Sequence, residues 1–270
     1  MERTLGFIGF GKMANAICKG IINSGFMKKN SVFAFDVNKE ALYGAANSIG
    51  ITPVDSIKEL MNRSSSVLIA TKPFVIQDVL DEIKDLADDK LIISILAGIT
   101  IERYEETLLN SRVVRVMPNT PAMVNEGMSA VCRGNKSTDE DVDFVYRMFS
   151  KLGKAEILDE TLINAVTAVS GSGPAFYYYI IDKIARAGEA LGLEYKTALK
   201  LSAQTALGAS KMIMETGMSP DDLITAVTTP NGTTAEGNKV LAESDIEKVL
   251  FETVNKTNQR AIELGMKKQN

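Results

Sequence analysis

Histidine and tryptophan occur nowhere in this chain, and cysteine occurs only at Cys18 and Cys132. Without imidazole the commonest general acid–base group and a common metal ligand are missing, so any chemistry must run without them. Two cysteines far apart in apolar surroundings suit neither a disulfide framework nor a zinc site, and they fit a reducing cytosol. No metal is expected. No run of about 18 consecutive apolar residues occurs, so no membrane span is expected. The opening stretch is broken by Gly6, Gly9 and Gly11, too short and too rich in glycine for the core of a signal peptide. A net charge of −4 gives no general attraction to nucleic acid or to anionic membrane.

What is present is ordinary globular material. With 45% apolar and 24% charged residues, 270 residues can bury a real core and suit two domains. Up to about residue 158, short β-branched runs alternate with helical stretches: Leu5 to Ile8, Val32 to Phe35, Val67 to Ala70, Leu91 to Ile95 and Val113 to Met117. Runs apolar through most of their length predict strands covered on both faces, as in a parallel, doubly wound α/β sheet. Ser56-Ile57-Lys58-Glu59 reads as a capping box, and Thr138 precedes the acidic first turn Asp139-Glu140-Asp141.

From residue 159 the apolar spacing becomes helical. Pro174 to Leu191, Lys196 to Thr216 and Ile246 to Lys267 predict long helices, and Ser219-Pro220 starts a shorter one with serine as cap and proline at the first helical position. These helices carry apolar residues around much of their girth, including Tyr177, Tyr178, Tyr179, Ile180 and Ile184. A helical domain of this size buries such faces most readily against a second copy, so a homodimer through residues 159–270 is expected.

After the first strand stands Gly9-Phe10-Gly11-Lys12-Met13-Ala14, which matches G-x-G-x-x-G/A. The first glycine permits the tight turn, the second lets backbone approach a pyrophosphate, and Ala14 allows close helix packing. An ordinary glycine turn carries the same spacing, but the place between strand and helix favours a dinucleotide. The N-terminal part, 1–158, is then a Rossmann domain. Asp36 ends the second strand about 20 residues on, where a carboxylate accepts ribose hydroxyls and repels a 2′-phosphate, so NADH is expected over NADPH, with Lys39 near enough to tolerate the latter. Ser170-Gly171-Ser172-Gly173-Pro174 offers two hydroxyls and a helix start whose free N–H groups suit a carboxylate; a plain helix cap reads the same way. Thr233 and Thr234 follow the turn dipeptide Asn231-Gly232 and also open a helix, with the same alternative.

Several segments together resemble the pyrroline-5-carboxylate reductase family along essentially the whole chain. They are Ala70-Thr71-Lys72-Pro73, Ile93-Ser94-Ile95-Leu96-Ala97-Gly98, Arg115-Val116-Met117-Pro118-Asn119-Thr120-Pro121-Ala122, Ser170-Gly171-Ser172-Gly173-Pro174-Ala175 and Thr229-Pro230-Asn231-Gly232-Thr233-Thr234. The resemblance implies NAD(P)H-dependent reduction of a cyclic imine to proline. It implies cofactor contacts from the turn of Ala70, Thr71, Lys72 and Pro73 and from that of Ile95, Leu96 and Ala97, beside the glycine loop from Ile8 to Ala14. Substrate contacts are implied near Ser172 and Thr234, with Glu160 and Thr167 close to the substrate region. Both turns follow sheet strands, at the carboxyl ends where such sheets bind ligands. Two positions depart from the family's usual form: Asn231 stands where a second glycine is usual, and Asn238 where an apolar residue often follows Gly237.

The expected mechanism is hydride addition to an imine that binds already protonated, Thr234 or a water held by Thr234 or Thr167 meeting the ring nitrogen. A β-hydroxyacid dehydrogenase would need a lysine with an asparagine within a turn; the candidate Lys183 has none. A non-catalytic nicotinamide-sensing module would need no second anion site.

Overall fold

The computed structural model describes residues 3–266. The sheet strands are β1 Leu5–Ile8, β2 Val32–Phe35, β3 Thr52–Pro53, β4 Ser66–Ile69, β5 Leu91–Ser94, β6 Arg112–Met117, β7 Gly127–Arg133 and β8 Gly153–Ile157. Between them run α1 Lys12–Asn23, α2 Lys39–Ile49, α3 Ile57–Arg63, α4 Ile76–Ile83, α5 Ile101–Thr107 and α6 Asp139–Phe149. The strands form one sheet in the order β3-β2-β1-β4-β5-β6-β7-β8. It is parallel except that β7 runs antiparallel to β6. The five expected strands are parallel to one another, and β7, which the sequence did not mark, turns back because only a short loop joins it to β6, too short for a crossover helix.

Helices cover both faces. Leu5 and Phe7 of β1 pack with Ile17, Ile21, Leu42, Val145 and Phe149 on one side, while Ile8, Val67 and Ile69 pack with Leu60, Leu80, Ile83 and Tyr104 on the other. β1, β4 and β5 are buried along their whole length, which is why their sequences read as continuous apolar runs. β3 and β8 escaped that reading because the first is two residues at the sheet edge, ending on proline, and the second, at the other edge, buries Ala155 and exposes Lys154, Glu156 and Ile157.

Helix caps follow the sequence with one change. Thr138 and Asp141 form the reciprocal box. Ser56 Oγ accepts from Glu59 N, but the Glu59 carboxylate takes Asp55 N–H, so the box at Ser56 closes one residue early. Asp141 is almost fully buried and its carboxylate accepts from Thr138 N, Thr138 Oγ1, Arg112 Nε and Arg3 Nη2. Burial opposes its charge, yet the Thr138 hydrogen bonds and Arg112 hold its pKa below the usual carboxylate value.

The chain divides into two compact units, one running to Ser172 and resuming at Thr257, the other spanning Gly173–Lys256. The change of pattern at residue 159 precedes that division because α7, Ile163–Val166, still contributes buried Ile163 to the sheet's core.

The second unit holds α8 Gly173–Ala190, α9 Tyr195–Thr216, α10 Pro220–Ala226 and α11 Thr233–Glu243, and α12 Ile246–Met266 begins in it. Lys267, expected at the end of the last helix, lies outside the described residues. Ser219 Oγ caps α10 by accepting from Asp222 N, with Pro220 at the first position. α8 and α9 are tied by Tyr195 Oη to Asp182 at 2.8 Å and Ser202 Oγ to Ile181 O at 3.1 Å. The apolar residues buried in this unit are only Ala185 and Ala198, while Tyr177, Tyr178, Tyr179, Ile213, Met214, Val249 and Phe251 stand exposed. A helical unit with so small a core and so much open apolar surface needs a covering surface.

Candidate active site

The sheet's switch point lies between β1 and β4, whose neighbours on either side run off in opposite directions. Ligands of open α/β sheets bind at the carboxyl edge there. Gly9 has φ +86°, and a Cβ on it would sit 2.8 Å from Thr71 N and 2.9 Å from Ala70 C. Only glycine therefore lets the first loop pass against the β4 turn. Gly11 has ordinary extended backbone, and a Cβ there would meet nothing within 4 Å. The space above it is open, next to the first turn of α1, which lacks any side-chain cap. The two glycines thus do different work, one steric within the fold and one facing outward with uncapped N–H groups suited to a pyrophosphate.

The remaining cofactor candidates sort by what they can offer. Ile8, Phe10, Ala14 and Leu96 are buried, so only main chain is left to them at the edge. Of these, Ile8 O accepts from Ala70 N, and Phe10 N donates to Asp36 Oδ2 at 2.6 Å. Met13 is partly buried against the core and Lys12 exposed. Asp36 lies at the end of β2, tied to the glycine loop by Phe10 and to its own turn by Asn38 N–H at 2.9 Å. Lys39 Nζ lies over the Phe35 ring and donates to Val54 O and Asp55 O, so its hydrogen bonds are made beside β3. In the β4 turn Thr71 Oγ1 is buried with no hydrogen-bond partner, Lys72 is exposed, and Pro73 opens a short 3-10 turn. In the β5 turn Ala97 is exposed, and its N–H carries no hydrogen bond among the described residues.

The substrate candidates from Glu160 to Ser172 belong to the same unit as the sheet. Thr167–Gly171 is a π-helical turn, a local geometry that recurs at functional sites. Asn119, just past β6, fastens it: Asn119 Nδ2 donates to Ser170 O and lies equally near Ser170 Oγ, both at 3.3 Å, while Asn119 Oδ1 accepts from Met128 N at 2.9 Å. Thr167 Oγ1 donates to Ile163 O at 2.7 Å. Glu160 Oε1 accepts from Arg115 at 2.7 Å and from Ile101 N at 2.8 Å. Arg115 is 3% exposed, so this carboxylate neutralises a buried cation and anchors the segment to the sheet. That structural duty is what the sequence did not reveal for Glu160. Neither Arg115 nor Asn119 was singled out from sequence, although a polar residue directly after a strand end is the signal that would have found Asn119.

Gly173, Thr233 and Thr234 lie in the helical unit. Gly173 is the buried first residue of α8. Thr233 and Thr234 open α11, whose N-cap Gly232 supplies no side chain, and the Ser172, Thr233 and Thr234 hydroxyls carry no partner among the described residues. Both departures from the family's form find a cause here. Asn231 has φ +59°, a left-handed position where asparagine is the best substitute for glycine. Asn238 Nδ2 donates to Thr228 Oγ1 at 3.1 Å, so its polar end is satisfied. Lys183 is exposed, 3.4 Å from Asp182 and over the Tyr179 ring, which gives the dehydrogenase reading no support.

A doubly wound sheet with an outward glycine and an uncapped helix start at its switch point is the architecture of a dinucleotide-binding domain. Residues 4–98 match the family model described as NADP oxidoreductase, coenzyme F420-dependent, and residues 160–264 that described as pyrroline-5-carboxylate reductase dimerisation. Pyrroline-5-carboxylate reductase from Methanosarcina acetivorans is 39% identical over 268 residues, covering 98% of this chain and 99% of its own. The solved pyrroline-5-carboxylate reductase of Coxiella burnetii has a TM-score of 0.92 at 31% identity, over 97% of this chain and 98% of that one. A second, the pyrroline carboxylate reductase of Plasmodium falciparum with NADP bound, has a TM-score of 0.87 at 29% identity and 98% coverage of each. The chain belongs to the pyrroline-5-carboxylate reductase family. Its helical part is the family's dimerisation module, and no described helix is long and apolar enough to cross a membrane.

Proposed function

We propose that this chain reduces L-1-pyrroline-5-carboxylate to L-proline at the expense of a reduced nicotinamide dinucleotide. The observation that carries the reading is likeness to a relative of that name over 98% of the chain. Residues 1–158 hold the cofactor and 159–270 the substrate and the second subunit. The open space over Gly11, the uncapped start of α1 and the orphaned Thr71 hydroxyl fit a dinucleotide. Gly9 to Ala14 cradle the pyrophosphate through backbone N–H groups, and the turns Ala70–Pro73 and Ile95–Ala97 meet the nicotinamide half. When bound, the cofactor supplies a hydride.

The chain's own contribution is placement. The substrate candidates are Ser170, Gly171 and Ser172 in the sheet unit and Gly173, Thr233 and Thr234 in the helical unit, each set offering hydroxyls or, at the start of α11, free N–H groups to the imine and its carboxylate. Thr234 meets the ring nitrogen, directly or through a water, with Thr167 the second candidate. An imine that binds already protonated needs no strong acid from the protein, which suits a chain without histidine. Glu160 acts by holding Arg115 and its segment in place. Proximity of the two reactants then supplies most of the acceleration.

NADH is the preferred reductant in this reading. Asp36 keeps acceptor capacity after its two backbone bonds, and the neighbouring Lys39 is committed to the β3 side. The test is oxidation of NADH and of NADPH with the imine, with a small β-keto acid as control. Turnover confined to the imine and faster with NADH is expected. A higher kcat/KM with NADPH would remove the role given to Asp36, and tight NADH binding without imine turnover would discard the substrate. Thr234→Ala should lower kcat and leave NADH binding intact; an unchanged kcat takes Thr234 out of the chemistry.

A further inference from the structure

Buried hydroxyls need partners, and two of them lie under the β5 turn. Ser94, the last residue of β5, and Tyr104, on α5, are both completely inaccessible. Their oxygens stand 2.6 Å apart, so one donates to the other. The same Ser94 Oγ accepts from Leu96 N at 3.2 Å. Burial pushes the Tyr104 phenol well above its ordinary pKa, so it stays protonated and available to donate.

The turn's N–H groups therefore point three ways. Ile95 N completes the ladder to Ile69 O at 3.3 Å, Leu96 N turns inward to a side chain, and Ala97 N is left free at the exposed carboxyl edge. An apolar residue at 94 would leave the Leu96 N–H and the Tyr104 hydroxyl without their acceptor or partner in a dry environment, and the turn would have to rotate to find others.

We propose that the Ser94–Tyr104 hydroxyl pair is a positioning device for the nicotinamide end of the cofactor: by holding Leu96 N–H inward it presents the Ala97 N–H outward. Neither residue touches the cofactor. The inference rests on the reading above that Ile95–Ala97 meets the nicotinamide half.

The test uses the full-length enzyme carrying Tyr104→Phe, which keeps the ring and removes only the hydroxyl, with Ser94→Ala as a second variant and Ser94→Thr as the one that retains a hydroxyl. Calorimetry gives Kd for NADH and for ADP-ribose, which lacks the nicotinamide. Loss of one net hydrogen bond predicts an NADH Kd weaker by about three- to tenfold in Tyr104→Phe and Ser94→Ala. ADP-ribose affinity and the KM for the imine should stay within about twofold, and Ser94→Thr should bind NADH like the parent by the same arithmetic. A lowered thermal midpoint with unchanged NADH affinity would show a purely structural role and overturn the proposal. Equal weakening of NADH and ADP-ribose would overturn it too, since damage would then not be confined to the nicotinamide end. Because Kd is read without substrate, failure of the imine assay would discard the proposed reaction while this comparison still decides the role of the pair.

Discussion

Replacing Gly11 with alanine should separate cofactor binding from folding. Gly11 has φ −72° and ψ −169°, which alanine adopts freely, and an added Cβ has no protein atom within 4 Å. Alanine caps a helix less well than glycine but loses less chain entropy on folding, so the two effects nearly cancel and stability should change by less than about 0.5 kcal/mol. The same methyl stands where a pyrophosphate must approach the first turn of α1. Pushing the phosphates away costs one or two charge-assisted hydrogen bonds, roughly 1.5 to 3 kcal/mol, or about 10- to 100-fold in Kd for NADH. Gly9→Ala is the contrasting control. Its φ of +86° and backbone atoms at 2.8 and 2.9 Å mean the fold itself must yield, at about 2 to 4 kcal/mol. Thermal unfolding and NADH titration calorimetry on both variants read the two effects separately. If Gly11→Ala bound NADH within twofold of the parent, the pyrophosphate would not lie over this loop and the cofactor site as described would be wrong.

Asp141→Asn should destabilise the sheet unit by about 2 to 3 kcal/mol at pH 7, since it removes the charge that meets Arg112 and Arg3. The folded pKa of Asp141 is depressed, so its contribution is present above the ordinary value of 3.8 and disappears as pH falls through the lower folded value; denaturant unfolding should show parent and variant converging only below that pH. Burial pushes the Cys18 thiol up to about 12 and that of Cys132 up to about 11, so neither should react with a thiol reagent at pH 8 until the chain is unfolded, when both should; stoichiometric labelling of native protein would contradict their burial. Charges at two exposed apolar positions of the helical unit, Tyr179→Glu with Phe251→Glu, should weaken self-association by about a hundredfold or more, each large side chain being worth some 2 kcal/mol when covered; sedimentation showing the same dimer would place the interface elsewhere.

The central sheet was legible because burial on both faces leaves its mark in sequence. β1 and β2 coincide with the expected runs, β5 and β6 differ from them by a residue at one end, and β4 is shifted by one residue toward the N-terminus. What escaped was whatever burial does not pattern. Thr52–Pro53 is held as a strand by neighbouring β2 rather than by any periodicity of its own, and the reversal at β7 follows from a loop length, not from the strand's composition. The long helices of the second unit were legible for the same reason in reverse. Their apolar residues recur around the whole circumference, and the folded chain leaves most of them open.

The site divides along a similar line. Groups whose place is set by main chain, such as Gly9, Gly11 and the first turn of α1, could be located from spacing, because the geometry of a strand followed by a helix is local, and the start of α11 was marked by the turn dipeptide before it. Side chains that act on one another across long separations could not. Glu160 meets Arg115 and the start of α5 from 45 and 59 positions away, and Asn119 reaches Ser170 across 51. Only the fold brings those pairs together, and each joins β6, the residues just past it or the start of α5 to the segment that precedes the helical unit. The polar residues that position the site are thus the ones sequence hides, whereas Asn231 could have been anticipated, since asparagine in place of a usual glycine after proline already implies a positive φ.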